Sequence, residues 1–219
     1  MKYRDIEHLL EVGEGFEVEF KRKVSTPGKI ARALVAFANT SGGTLLFGVD
    51  DDGSIVGVES EKSEVELIQT AGAFYCDPPI APHIEIIPYK GKDVIVVEVG
   101  ESSEKPHYVV ETNNGAADEE TKVFIRVKDK TVVASREVVR ILEAERPDAP
   151  PLRISIGEPE RRLFDYLGRH ERITVQEFGD LVNVSKRRAS RILIQLVRAG
   201  VLRIHTHEKQ DYFTLAFEM

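Results

Sequence analysis

Apolar and polar positions along the chain alternate between two periods, and each change of period marks an element. Tyr3 to Glu11 has apolar residues at helical spacing and predicts an amphipathic helix. Phe16, Val18 and Phe20 then alternate with Glu17, Glu19 and Lys21, the period of two expected of a strand with its acidic side outward. Thr26 and Pro27 form an N-cap and first-turn pair, and Ile30, Ala33, Leu34, Phe37 and Ala38 return at helical spacing until Asn39-Thr40-Ser41-Gly42-Gly43 stops the helix. Thr44 to Val49 is an apolar run suited to a central strand. Asp50-Asp51-Asp52-Gly53 has turn chemistry, and Ser54 to Val58 is expected to return as a hairpin. A helix over Glu61 to Tyr75 is ended by Pro78 and Pro79. Strands are expected at His83 to Pro88, Val94 to Val99 and Lys122 to Val127, and a helix from Ser135 to Glu145 closes the region. Strands and helices mixed around one sheet predict an α+β domain.

Pro147, Pro150, Pro151 and Pro159 interrupt any periodicity between Ile141 and Pro159, which reads as a linker. The expected division is therefore a domain over 1–146, a linker over 147–158 and a second domain over 159–219. In the second domain, Glu160 to Arg169 is helical, Thr174 caps a second helix and Ser185 a third, which runs to Ala199 before Gly200. Val201 to Thr206 and Tyr212 to Phe217 pair around a polar tip. Three helices followed by a hairpin predict a winged helix-turn-helix.

Composition changes this picture in two places. The 219 residues carry 30 Lys and Arg against 37 Asp and Glu, a net charge of −7 that by itself argues against a phosphate-rich partner. The charge is segregated: Glu158 to Met219 holds 11 basic against 9 acidic residues, and the preceding 157 residues hold 19 against 28. A single cysteine, Cys76, excludes an internal disulfide and any multi-cysteine zinc site. With no apolar run of membrane-spanning length and no signal-peptide core, a cytoplasmic protein without a membrane partner is expected.

The basic residues of the second domain gather on its third helix. Ala189, Ile192, Leu193, Leu196 and Val197 form the apolar stripe, and Lys186, Arg187, Arg188, Arg191, Gln195 and Arg198 occupy the rest. Arginine forks bridge phosphates or read guanine edges, and Gln195 suits adenine. Lys209, with His205 and His207, would be the hairpin's contribution. A solvated charged face or a protein-binding adaptor is the alternative reading of the same residues. Lys21, Arg22 and Lys23 make a local basic segment in the acidic domain, equally compatible with a nucleic-acid contact and a solvated surface. His107 and Cys76 have no neighbour in sequence that would make either a catalytic group, and read as core or surface residues.

Three motifs carry a family resemblance: Glu14 with Glu19-Phe20-Lys21; Ala36-Phe37-Ala38-Asn39 running into Gly42-Gly43; and Gly48-Val49-Asp50-Asp51 with Gly53 and Gly57. Together they resemble the Alba-like domain shared with Schlafen proteins, formerly described as a divergent AAA ATPase domain, and weaker likeness continues through Lys105-Pro106-His107 and Phe124-Ile125-Arg126. Bacterial proteins that join such a domain to a winged helix resemble transcriptional regulators or RecG-related proteins. Similarity to Schlafen nucleases implies that Glu14, Glu19 and Asp50 or Asp51 would hold Mg²⁺ or Mn²⁺ for cleavage of RNA or single-stranded nucleic acid. The residues by themselves are also explained by an outward strand face and a tight turn. The older family name implies ATP, but no Walker-type phosphate loop is present and ATP is not expected. The expected function is that of a DNA-binding transcriptional regulator, a homodimer on double-stranded DNA. A divalent-metal nuclease and a protein-interaction adaptor are the alternatives.

Overall fold

The computed structural model describes residues 3–111, 120–207 and 209–217. The chain divides into two compact units, Met1–Ala134 and Ser135–Met219.

The first unit contains α1 (Tyr3–Val12), β1 (Val18–Lys21), α2 (Pro27–Ala38), β2 (Gly43–Phe47), α3 (Glu61–Phe74), β3 (Cys76–Asp77), β4 (His83–Tyr89) and β5 (Lys92–Val99). After these come β6 (Tyr108–Glu111), β7 (Glu120–Lys122), β8 (Phe124–Val127) and β9 (Lys130–Val133). The main sheet has the order β1-β2-β5-β4 and is mixed. β1 and β2 run parallel with α2 as their crossover, and the other pairings are antiparallel. The fold class is α+β, as the pattern predicts.

Both faces of this sheet are covered. Val18, Phe20, Leu46, Val94 and Val96 pack with Ile6 of α1, and Leu45, Phe47, Ile95, Val97 and Val99 pack with the buried face of α2. The alternation assigns Glu19 to the α2 face, and Glu19 is accordingly buried at 8% exposure. The expectation of an outward acidic side thus fails at Glu19. Phe16, expected inward, lies before the strand and is exposed.

Gly43 permits the entry of β2 beneath α2: a Cβ there would sit 2.3 Å from the Phe37 ring and 2.6 Å from the Glu17 carbonyl oxygen. The expected hairpin from Thr44 to Val58 is not formed as a strand pair. β2 ends at Phe47, and Gly48 at φ +88° turns the backbone out of the sheet, so the returning segment is held by one bridge, Val49 to Ile55. Val56 and Gly57 donate their N–H groups to the Gly48 carbonyl. The single strand expected at Lys122 to Val127 is two, β7 pairing with β6 and β8 with β9, with Val123 between them. β3, β6 and β9 are not read from the sequence, because strands of two to four residues span too few positions to establish a period.

The second unit contains α4 (Arg136–Glu145), α5 (Glu158–Leu167), α6 (Val175–Val182), α7 (Lys186–Arg198), β10 (Leu202–His205) and β11 (Tyr212–Leu215). Leu163, Ile173, Phe178, Leu193, Leu196 and Phe213 form its core, the two strands pair antiparallel, and Ile173 bridges to Phe213. The N-terminus of α6 is closed by a capping box in which Thr174 accepts from the Glu177 N–H and Glu177 accepts from the Thr174 N–H. Asn183 ends the helix at φ +53°.

The boundary lies at Ala134, not at residue 146. α4, expected to close the first domain, packs on α7 in the second. Its contact is polar as well as apolar: buried Ser190 donates to Glu137 Oε1 at 2.7 Å and lies 3.4 Å from Arg140 Nη1. A serine inside a helix gives no periodic signal, so the sequence does not disclose this partner.

Candidate nucleic-acid interface

α7 begins at Ser185, whose side chain accepts from the Arg188 N–H, and its surface divides into three sectors by the period of 3.6 residues. Ala189, Ile192, Leu193 and Leu196 face the core. Ser190 and Ile194, both buried, turn toward α4, where Ser190 meets Glu137 and Arg140. Arg187, Arg191 and Arg198 follow as the next stripe at i, i+4 and i+11, with Arg188 and Gln195 beyond them.

Arg187, Arg188 and Arg191 are exposed, and among the described residues none has an ion-pair partner. Lys186 is also exposed but stands at the edge of the basic sector, where it lines a groove with Arg136, Glu137, Arg140, Arg187 and Ser190. An adjoining groove is lined by Arg140, Arg187, Arg191, Ile194, Gln195 and Arg198. Arg198 is partly committed, donating from Nη2 to the Pro150 carbonyl at 3.0 Å. Lys209 is exposed at the hairpin tip. His205, expected to reach outward, is instead stacked on Tyr212 at 4.8 Å and bonded to Thr214 Oγ1 at 2.9 Å. Arg136 and Arg140 are the residues that sequence reasoning missed. They stand on a helix assigned to the other domain, and only the tertiary contact brings them beside α7.

The acidic constellation of the first unit is arranged differently. Glu19 is bound by Arg126, which contacts it through Nη1, and by Lys21 Nζ at 2.6 Å. Arg126 uses all five of its N–H donors: besides Glu19, it reaches the carbonyls of Gly15 at 2.6 Å, Phe16 at 3.4 Å and Asp129 at 3.0 Å, and Thr131 Oγ1 at 3.1 Å. Its guanidinium lies 4.8 Å from the centre of the Phe37 ring. Glu14 accepts from the Phe20 N–H at 2.9 Å. Asp50 pairs with Arg22 at 2.8 Å and accepts from the Asp51 N–H.

Each carboxylate thus has its own local partner, and the described residues contain no group of three or more His, Cys, Asp or Glu side chains that could hold a metal ion. Glu14, Glu19 and Asp50 as placed do not fit Mg²⁺ or Mn²⁺. In the basic segment, Lys21 and Arg22 are taken up by these same carboxylates, while Lys23 is exposed.

His107 is buried and has companions that the sequence did not suggest. Nδ1 lies 2.7 Å from the Pro78 carbonyl oxygen and Nε2 2.7 Å from Ser102 Oγ, a hydroxyl that also accepts from the Glu104 N–H. Cys76 is in the core, its Sγ 3.4 Å from the Ala71 carbonyl, and burial pushes its thiol up to about 12. No helix among the described residues is long and apolar enough to cross a membrane.

The family model described as Schlafen, AlbA_2 matches residues 14–135. No curated protein matches the chain. Among solved structures, the DIP2311 protein from Corynebacterium diphtheriae is similar at 20% identity and a TM-score of 0.48, covering 76% of this chain and 37% of its own. This chain therefore spans little more than a third of that protein's length. The N-terminal domain of a RecG-related protein from Nitrosomonas europaea is similar at 22% identity and a TM-score of 0.42, covering 72% of this chain and 97% of its own.

Proposed function

This chain belongs to the Schlafen, AlbA_2 family through residues 14–135, and with that as premise we propose that it is a DNA-binding protein, a transcriptional regulator whose C-terminal unit docks on double-stranded DNA as a winged helix. The observation that carries this reading is the exposed sector of α7, where Arg187, Arg188 and Arg191 stand without an acidic partner among the described residues. Three cations crowded on one helix repel each other, an arrangement best relieved by an anionic partner. Helix α7 is capped and fixed on the core, as a helix entering the major groove must be, and Arg188, Arg191 and Gln195 are the side chains of suitable chemistry for base edges. Lys209 reaches the flanking backbone from the hairpin. The rest of the chain, with its acidic excess, serves assembly or effector sensing and offers DNA at most a local contact through Lys23.

The test is fluorescence anisotropy of labelled duplex DNA with the full chain. Binding is expected to weaken steeply with salt, and Arg191→Ala to weaken it about tenfold or more. An unchanged isotherm for Arg191→Ala overturns the assignment.

A further inference from the structure

We infer that α4 is part of the DNA interface, with Arg136 and Arg140 holding the sugar-phosphate backbone beside the groove that α7 enters. The inference rests on the DNA-binding reading above and extends it to an element outside the three helices and hairpin.

Arg136 and Arg140 are one helical turn apart and therefore share a face of α4. Across the groove stand Lys186 and Arg187, so four cations line it against one carboxylate, Glu137. That carboxylate accepts the Ser190 hydroxyl and has no ion-pair partner among the described residues. Four positive groups around one acid leave an excess that the unit itself does not neutralise. The neighbouring groove shares Arg140 and Arg187 with the first and continues through Arg191 to Arg198, with no acidic residue in its lining. Together they make a continuous basic strip along α7.

The length of the strip decides between a small anion and a polyanion. Lys186 to Arg198 spans roughly 18 Å at 1.5 Å per residue. A duplex strand carries one phosphate about every 3.4 Å of its axis, so a strip of that length spans several phosphates. A single phosphate group would occupy one end and leave the other cations unpaired. The position of α4 is also fixed. Ser190 is 2% exposed and joins Glu137 and Arg140 to α7, so the two arginines keep their place relative to the reading helix. Backbone contacts of this kind set register and orientation without reading sequence.

The full chain is titrated into a labelled random-sequence duplex over a series of salt concentrations. The double variant Arg136→Ala/Arg140→Ala is expected to lower the slope of log K against log salt by about two, one for each phosphate that no longer meets an arginine. Arg140→Lys keeps the charge and is expected to keep the slope. Arg136→Glu guards against misfolding, since Arg136 has no side-chain partner among the described residues. It is expected to lower the slope while circular dichroism stays that of the parent. Wild-type slope and affinity in both the double variant and Arg136→Glu, with Arg191→Ala weakened, would overturn the role of α4 and leave the DNA-binding reading standing. Failure of the parent protein to bind any duplex overturns both. Inorganic phosphate binding that disappears in the double variant without any change in DNA slope would make this a small-anion site, and would likewise overturn the inference.

Discussion

Arg126 donates all five of its N–H groups inside the protein, and only 1% of its side chain is exposed. Breaking a buried pair on one side leaves the other charge unpaired, so Arg126→Ala is expected to cost about 3–5 kcal/mol in urea denaturation. Arg126→Lys should not restore it, because a point ammonium cannot reproduce the planar fork that meets Gly15, Asp129 and Glu19 at once. Asn39 is a second such knot. Its amide donates to the carbonyls of His107 and Phe124 and accepts from the His107 N–H, so Asn39→Ala orphans three buried backbone groups and is expected to cost about 3 kcal/mol or more. Cys76 gives a pH signature. Its folded thiol ionises at about 12 against 9.0 for the free group, so the fold holds this proton more tightly than the unfolded chain. The stability it contributes is complete below pH 9.0 and is lost as pH rises toward 12. Cys76→Ala is expected to flatten that alkaline limb in denaturation measured against pH, and the native thiol should resist thiol reagents at neutral pH.

At the scale of elements, α7 shows how one helix serves three surroundings. Its core sector builds the second unit, its Ser190 sector seats α4, and its arginine sector stays exposed. Ser190→Ala removes the hydroxyl between Glu137 and Arg140 without enlarging the side chain, leaving the carboxylate without its buried donor. Hydrogen exchange is expected to quicken in α4 and to remain unchanged in α6, whose capping box is independent of that contact. Equal protection of α4 in parent and variant would show that apolar packing alone seats it.

For the whole molecule, charge is segregated between the two units on either side of Ala134. Residues 135–219 hold 15 basic against 13 acidic residues, and residues 1–134 hold 15 against 24. A net +2 is small, so the proposed DNA binding would draw on the local density of cations on α4 and α7. The homodimer expected from the sequence is checked by sedimentation of the full chain with duplex DNA. Two chains per duplex are expected, and a half-site spacing near one helical turn should bind more tightly than one offset by half a turn.

The sequence by itself determined the α+β class, the helices over 27–38, 61–74, 175–182 and 186–198, a helix expected over 160–169 that runs over 158–167, and the segregation of charge. These follow from periodicity, capping residues and composition, which are local. Tertiary structure decided the rest. Glu19 obeys the period of two, yet both faces of the sheet are covered, so the alternate position is buried too and meets an arginine 107 residues away. Gly48 ended a strand that its apolar neighbours would have continued. Residues 136–145 form the expected helix, but which unit it joins depends on Ser190, Glu137 and Arg140 meeting across about 50 residues of chain, as their separations of 50 and 53 show. Pattern along a chain records which face of an element is apolar. What covers that face is settled only by contacts between residues far apart in sequence.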